Sequence, residues 1–116
     1  MSKVKIYHNP RCSKSRIGVQ ILEKAKVEFE VIKYLNNTPS EKEIKELLQM
    51  LNISAIDLVR KGEKIWKENY KGKELTNDQI ITAMFENPKL IERPIVIKDN
   101  KAVIGRPSEN IINLIK

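Results

Sequence analysis

The chain begins with a short alternating run, Val4-Lys5-Ile6-Tyr7, that predicts a strand. A polar and basic stretch follows from His8 to Arg16, in which Pro10 fits a turn and Ser13 offers a helix cap. Ile17 to Lys26 reads as an amphipathic helix, with Ile17, Ile21, Leu22 and Ala25 assigned to one face. Val27 to Leu35 alternates in part, with Phe29, Val31 and Ile32 apolar, and predicts a second strand. Strand, helix and strand in so short a span imply a βαβ unit whose two strands run parallel.

Asn36-Asn37-Thr38-Pro39 breaks this pattern, and Ser40-x-x-Glu43 is a capping box before the stripe Ile44, Leu47, Leu48 and Leu51. A second cap is expected at Ser54-x-x-Asp57, with a stop at Gly62. Ile65, Trp66 and Tyr70 predict a short helix ending near Gly72. Thr76-x-x-Gln79 opens another, with Ile80, Ile81, Met84 and Phe85 as its core face and Asn87-Pro88 as its end. The pattern then returns to strands, Pro94 to Ile97 and Lys101 to Ile104, around a tight turn at Asp99-Asn100. A last helix is expected from Gly105-Arg106-Pro107-Ser108-Glu109, with proline in its first turn and Ile111, Ile112 and Ile115 facing inward. The order βαβ, helices, ββα describes one α/β domain over residues 1–116, with a mixed sheet and a helical insertion at about 40–88.

Composition narrows the function classes. Hydrophobic residues make up 41% of 116, enough for a core and too many for a disordered chain. No run approaches the ~20 apolar residues of a membrane span, and the first residues lack a signal-peptide pattern, so a soluble cytoplasmic protein is expected. The net charge of +7 suits an anionic partner. Most lysines alternate with glutamates, as on solvated helices, and aromatics are only 5%, so nucleic acid is not an expected partner.

The single cysteine, Cys12, excludes an intramolecular disulfide, so any redox chemistry needs a thiol from another molecule. With one histidine as well, His8, a protein-only zinc site is not expected. Cys12 falls where a helix begins, among His8, Arg11, Lys14 and Arg16, and no apolar residue flanks it except Pro10. Free helix N–H groups and positive charge favour thiolate over thiol, which marks Cys12 as a nucleophile that meets an anion rather than a core residue. Arginine's planar fork suits tetrahedral oxyanions. Beyond Arg11 and Arg16 the arginines are Arg60, Arg93 and Arg106, each at a break in the pattern, a placement that suits surface residues and oxyanion donors equally. Pro94 reads either as an edge-strand proline or as a cis-proline beside the site.

Four blocks, in order, resemble the glutaredoxin-coupled arsenate reductase family: Ile6-Tyr7-His8-Asn9-Pro10-x-Cys12-x-x-Ser15-Arg16, Leu58-x-Arg60-Lys61, Asn87-Pro88-x-Leu90-Ile91-x-Arg93-Pro94-Ile95-Val96, and Gly105-Arg106-Pro107-Ser108-Glu109. The resemblance is to its short, single-cysteine branch, which is related to the Spx-type regulators. It implies a thioredoxin-like fold with a helical insertion. It also implies Cys12 as nucleophile, His8 helping to hold the thiolate, and Arg60, Arg93 and Arg106 binding arsenate or a similar oxyanion. Pro94 would match the cis-proline of that fold, and Ser15 stands where dithiol relatives carry a second cysteine; Arg16 completes the loop. Reduction to arsenite would use glutathione as co-substrate and glutaredoxin as partner, with no metal and no tightly bound cofactor. Two other readings share the site: a glutathione-linked thiol–disulfide oxidoreductase, which does not need the arginines, and a redox-related regulator binding RNA polymerase. The switch of such regulators commonly uses Cys-x-x-Cys, and here the pattern is Cys12-Ser13-Lys14-Ser15.

Overall fold

A computed structural model describes residues 4–116, which divide into two compact units, 4–37 with 93–116 and 38–92. The first unit is built on a four-stranded mixed sheet of order β2-β1-β3-β4. Its strands are β1 (Val4–Tyr7), β2 (Phe29–Ile32), β3 (Ile95–Lys98) and β4 (Lys101–Ile104). β1 pairs parallel with β2, Val4 opposite Phe29, and antiparallel with β3, Ile6 opposite Val96. The β3–β4 hairpin turns at Asp99 and Asn100, whose φ of 53° and 63° are those of a two-residue type I′ loop. Central β1 and β3 bury Val4, Ile6, Ile95 and Val96, whereas Val31 on edge strand β2 is exposed. This is the thioredoxin-like arrangement, with helices α1 (Ser13–Lys24) and α5 (Glu109–Ile115).

Helix α1 starts earlier than the apolar periodicity suggested. Cys12 holds the N-cap position and Ser13 is already helical, so Ser13 is not the cap. The inward face is Ser15, Gly18 and Leu22; Ile17 and Ala25 lie outside. Leu22 joins Val4, Ile6, Val96 and Ile111 in one buried cluster. α5 likewise buries Ile111 and leaves Ile112 exposed, and it begins beyond Pro107 instead of carrying that proline in its first turn. Among the described residues two peptide bonds are cis, Arg93–Pro94, as the resemblance implied, and Arg106–Pro107, which no sequence pattern indicated.

The second unit carries α2 (Glu41–Leu51), α3 (Lys64–Asn69) and α4 (Asn77–Glu86). Both capping boxes form in full, Ser40 with Glu43 and Thr76 with Gln79. Each satisfies two N–H groups that a helix start leaves open, which contributes about 1 kcal/mol. Ser54 makes no such bond; Ala55–Leu58 is a single 3-10 turn, after which Val59 pairs with Ile91 as an isolated antiparallel bridge. The core is Ile44, Leu47, Leu58, Ile80, Ile81 and Met84, with Ala83 buried and Phe85 exposed.

Candidate active site

The loop between β1 and α1 is a set of short-range hydrogen bonds that aims Cys12. Asn9 is buried; its side-chain oxygen accepts the Arg11 amide at 3.0 Å, and its carbonyl accepts the Cys12 amide at 3.0 Å. Arg16 reaches back to donate to the Pro10 carbonyl at 2.9 Å, so it braces the loop. At Ser15, fully buried, the hydroxyl oxygen accepts the Asn9 amide at 2.9 Å and lies 2.6 Å from His8 Nδ1. Burial, then the charge of Lys33, holds the His8 pKa below its ordinary value; the bond to Ser15 opposes this and Arg16 adds to it. His8 is therefore a neutral imidazole at pH 7.

The sulfur itself is met by other groups. Arg106 Nη2 lies 3.4 Å from Cys12 Sγ, while its Nε donates to the Arg93 carbonyl at 2.8 Å. Burial pushes the Cys12 thiol up, but the Ser15 amide, the Arg93 guanidinium and the Lys14 amide outweigh it and bring the pKa below its ordinary value. The Lys14 and Ser15 amides act as the open positive end of α1; the sulfur closes no cap hydrogen bond with them. Burial also opposes the charge on Arg93, yet Tyr34 and Cys12 raise its pKa above the ordinary value, so the guanidinium is fixed as a cation.

Two glycines set this geometry. Gly105 donates to the Pro94 carbonyl at 2.8 Å, and a Cβ there would stand 2.8 Å from Pro94 Cγ and 2.7 Å from Ile111 Cδ1. A Cβ on Gly18 would meet the same proline Cγ at 3.1 Å. Pro94 is thus held between α1 and the segment that presents Arg106. Of the residues expected from sequence, Cys12, Ser15, Arg16, His8, Arg93, Pro94 and Arg106 all belong to the first unit. Arg60 belongs to the second, where it pairs with Glu92 at 3.6 Å and its amide donates to the Leu90 carbonyl at 2.7 Å. Asn9, Gly18 and Gly105 were not singled out from sequence. Asn9-Pro10 beside a chemistry-bearing cysteine was the available signal for the first; nothing local marks the glycines, whose contacts are distant in sequence.

Residues 7–114 match the ArsC family model. The chain belongs to the ArsC family. Among ArsC relatives, it is 42% identical to an arsenate reductase of Neisseria meningitidis, over 96% of this chain and 97% of that protein. It is 44% identical to the uncharacterised protein YfgD of Escherichia coli, over 97% of each. The solved arsenate reductase structure from Vibrio cholerae superposes with a TM-score of 0.92 at 43% identity, covering 96% of both chains. Among the described residues no helix is long and apolar enough to cross a membrane.

Proposed function

We propose that this ArsC-family protein is an arsenate reductase that works through the Cys12 thiolate and takes its electrons from glutathione and glutaredoxin. The observation that carries the reading is a sulfur favoured as thiolate at the start of α1 with the Arg93 and Arg106 guanidiniums beside it. The full-length relationship to proteins named arsenate reductases supports it.

The thiolate attacks arsenic(V) of dihydrogen arsenate; one oxygen leaves as water after taking up a proton, and a sulfur–arsenic bond replaces it. Arg93 and Arg106 offer fixed donors to the remaining oxygens and to the charge that develops on them. The resemblance adds Arg60 to this set. A glutathione thiolate then attacks Cys12 Sγ. A sulfur–sulfur bond forms, the sulfur–arsenic pair goes to arsenic, and arsenic(V) becomes arsenic(III), which leaves as arsenous acid after two protons are added. The two sulfurs are now a mixed disulfide, and a second thiol, delivered with glutaredoxin, frees the Cys12 thiolate. Phosphate shares the shape of arsenate but cannot follow the thiol step, so discrimination lies in the sulfur chemistry.

The test couples the purified protein to glutathione, glutaredoxin and glutathione reductase and follows NADPH consumption on adding arsenate. Arsenate-dependent turnover that Cys12→Ser abolishes is the expected result. No turnover, with Cys12 still alkylated readily, rejects arsenate and points to glutathionylated proteins as substrates.

A further inference from the structure

A cavity of about 300 Å³ lies between the start of α1 and the β4–α5 connection, bordered by Lys14, Ile17, Arg106, Pro107, Ser108 and Glu109. Two of these also act on Cys12: Arg106 through Nη2 at 3.4 Å, Lys14 through its amide. The cavity therefore shares two of its bordering residues with the surroundings of Sγ. Its volume is at the small end of ligand pockets, about 300–1,000 Å³.

The lining has an unspent set of groups. Lys14 and Glu109 carry opposite charges on one cavity, yet neither forms an ion pair with any described residue. The Ser108 side chain makes no cap hydrogen bond to α5. Ile17, 38% exposed, is apolar in an otherwise polar outer face of α1, and Pro107 adds a second apolar surface. A cation, an anion, a hydroxyl and an apolar wall beside a thiolate match a small molecule that bears a thiol, a short aliphatic stem and an amino-acid zwitterion. The chemistry requires a thiol from outside the chain, because the chain has one cysteine and a two-electron reduction consumes two thiols.

We infer that this cavity is the binding site of the reducing thiol, a free thiol with an α-amino-acid end such as glutathione. Glu109 receives the ammonium, Lys14 and Ser108 receive the carboxylate, and the stem lies on Ile17 and Pro107. This places the incoming sulfur for attack on Cys12 Sγ, with the leaving atom departing on the other side as its bond pair is released. The inference rests on the thiol-dependent reading above, but not on arsenate as the substrate.

The test omits arsenate. Cys12 of the intact protein is converted to its mixed disulfide with thionitrobenzoate, and release of the coloured thiolate is followed against the concentration of glutathione and, separately, of 2-mercaptoethanol. In this step the attacking thiolate forms the new disulfide with Cys12 and thionitrobenzoate leaves with the bond pair. The expected result is saturation with glutathione, a rate reduced roughly threefold to fivefold by Glu109→Gln and by Lys14→Gln, and, for Glu109→Gln, an unchanged rate with 2-mercaptoethanol. Amide shifts on titrating the protein with S-methylglutathione are expected at Ile17, Ser108 and Glu109. Linear dependence on glutathione with variants equal to the parent overturns the inference, as do shifts confined to other residues. An arsenate assay that fails while these two succeed rejects only the choice of arsenate.

Discussion

Replacing Gly105 by alanine tests whether close approach at Pro94 holds the active-site geometry. The new Cβ stands 2.7 Å from Ile111 Cδ1 and 2.8 Å from Pro94 Cγ, where ordinary contact begins at 3.4 Å. Ile111 Cδ1 ends a rotatable side chain and can turn aside. The proline ring cannot, because Gly105 is bonded to the Pro94 carbonyl at 2.8 Å and Gly18 approaches the same ring carbon. The strand and the β4–α5 connection must therefore separate by several tenths of an ångström. Overpacking of this kind costs about 1–3 kcal/mol. For a chain of this size that lowers Tm by roughly 4–12 °C. Gly62→Ala is the matched control, since nothing lies within 4 Å of its Cβ; it should leave stability unchanged or raise it by about 0.4–1 kcal/mol. Thermal unfolding followed by circular dichroism compares the two. A Gly105→Ala protein that melts within roughly 2 °C of the parent would refute the reasoning.

The electrostatic reading predicts that Arg93→Ala shifts the midpoint of pH-dependent Cys12 alkylation by iodoacetamide upward, as does Arg106→Ala; an unmoved midpoint in both would leave the helix amides alone responsible. His8 gives a stability signature of known sign. Its folded pKa lies below the ordinary value near 6.5, so the unfolded chain takes up the proton first, and stability falls as pH drops from there towards the folded pKa. Urea midpoints measured between pH 7.5 and 5 should show this loss, and His8→Gln should remove its share of the slope. Ser15→Ala leaves the Asn9 amide and His8 Nδ1 without their partner and should cost about 1–3 kcal/mol in urea unfolding. A loss under roughly 0.5 kcal/mol would mean that water replaces the hydroxyl.

What could be read from the sequence was what local chemistry decides. The capping boxes at Ser40 and Thr76 and the turn at Asp99-Asn100 each depend on residues within a few positions of one another, and the parallel start of the sheet on one short βαβ span. The buried face of α1 did not, because apolar periodicity favours Ile17 and Ala25 over Ser15 and Gly18. Ser15 is buried because the Asn9 amide and His8 satisfy its hydroxyl, and Gly18 because Pro94 arrives from the far end of the chain. Phe85 was expected inside on hydrophobicity alone, but Ala83 takes an inward position of α4 and Phe85 falls on the outer face. In the site, the cysteine and its helix start were legible as a pattern. That Arg106 touches the sulfur is a tertiary fact, and before the fold it was no different from a surface arginine.

The first unit is assembled from two stretches of chain with the second unit between them, and β1 lies between β2 from one stretch and β3 from the other. Arg106, whose Nη2 lies 3.4 Å from Cys12 Sγ, is 94 residues away in sequence. During synthesis from the N-terminus, at about 5–20 residues per second, Cys12 precedes Arg106 by roughly 5–20 s. For that interval the nascent chain has the βαβ start and its cysteine but neither Arg93 nor Arg106, nor the strands that complete the sheet. The thiol then has the α1 amides beside it but not the guanidiniums, and is less ionised than in the finished protein. The last part of the nucleophile's activation thus waits on completion of the fold, because it comes from residues near the far end of the chain.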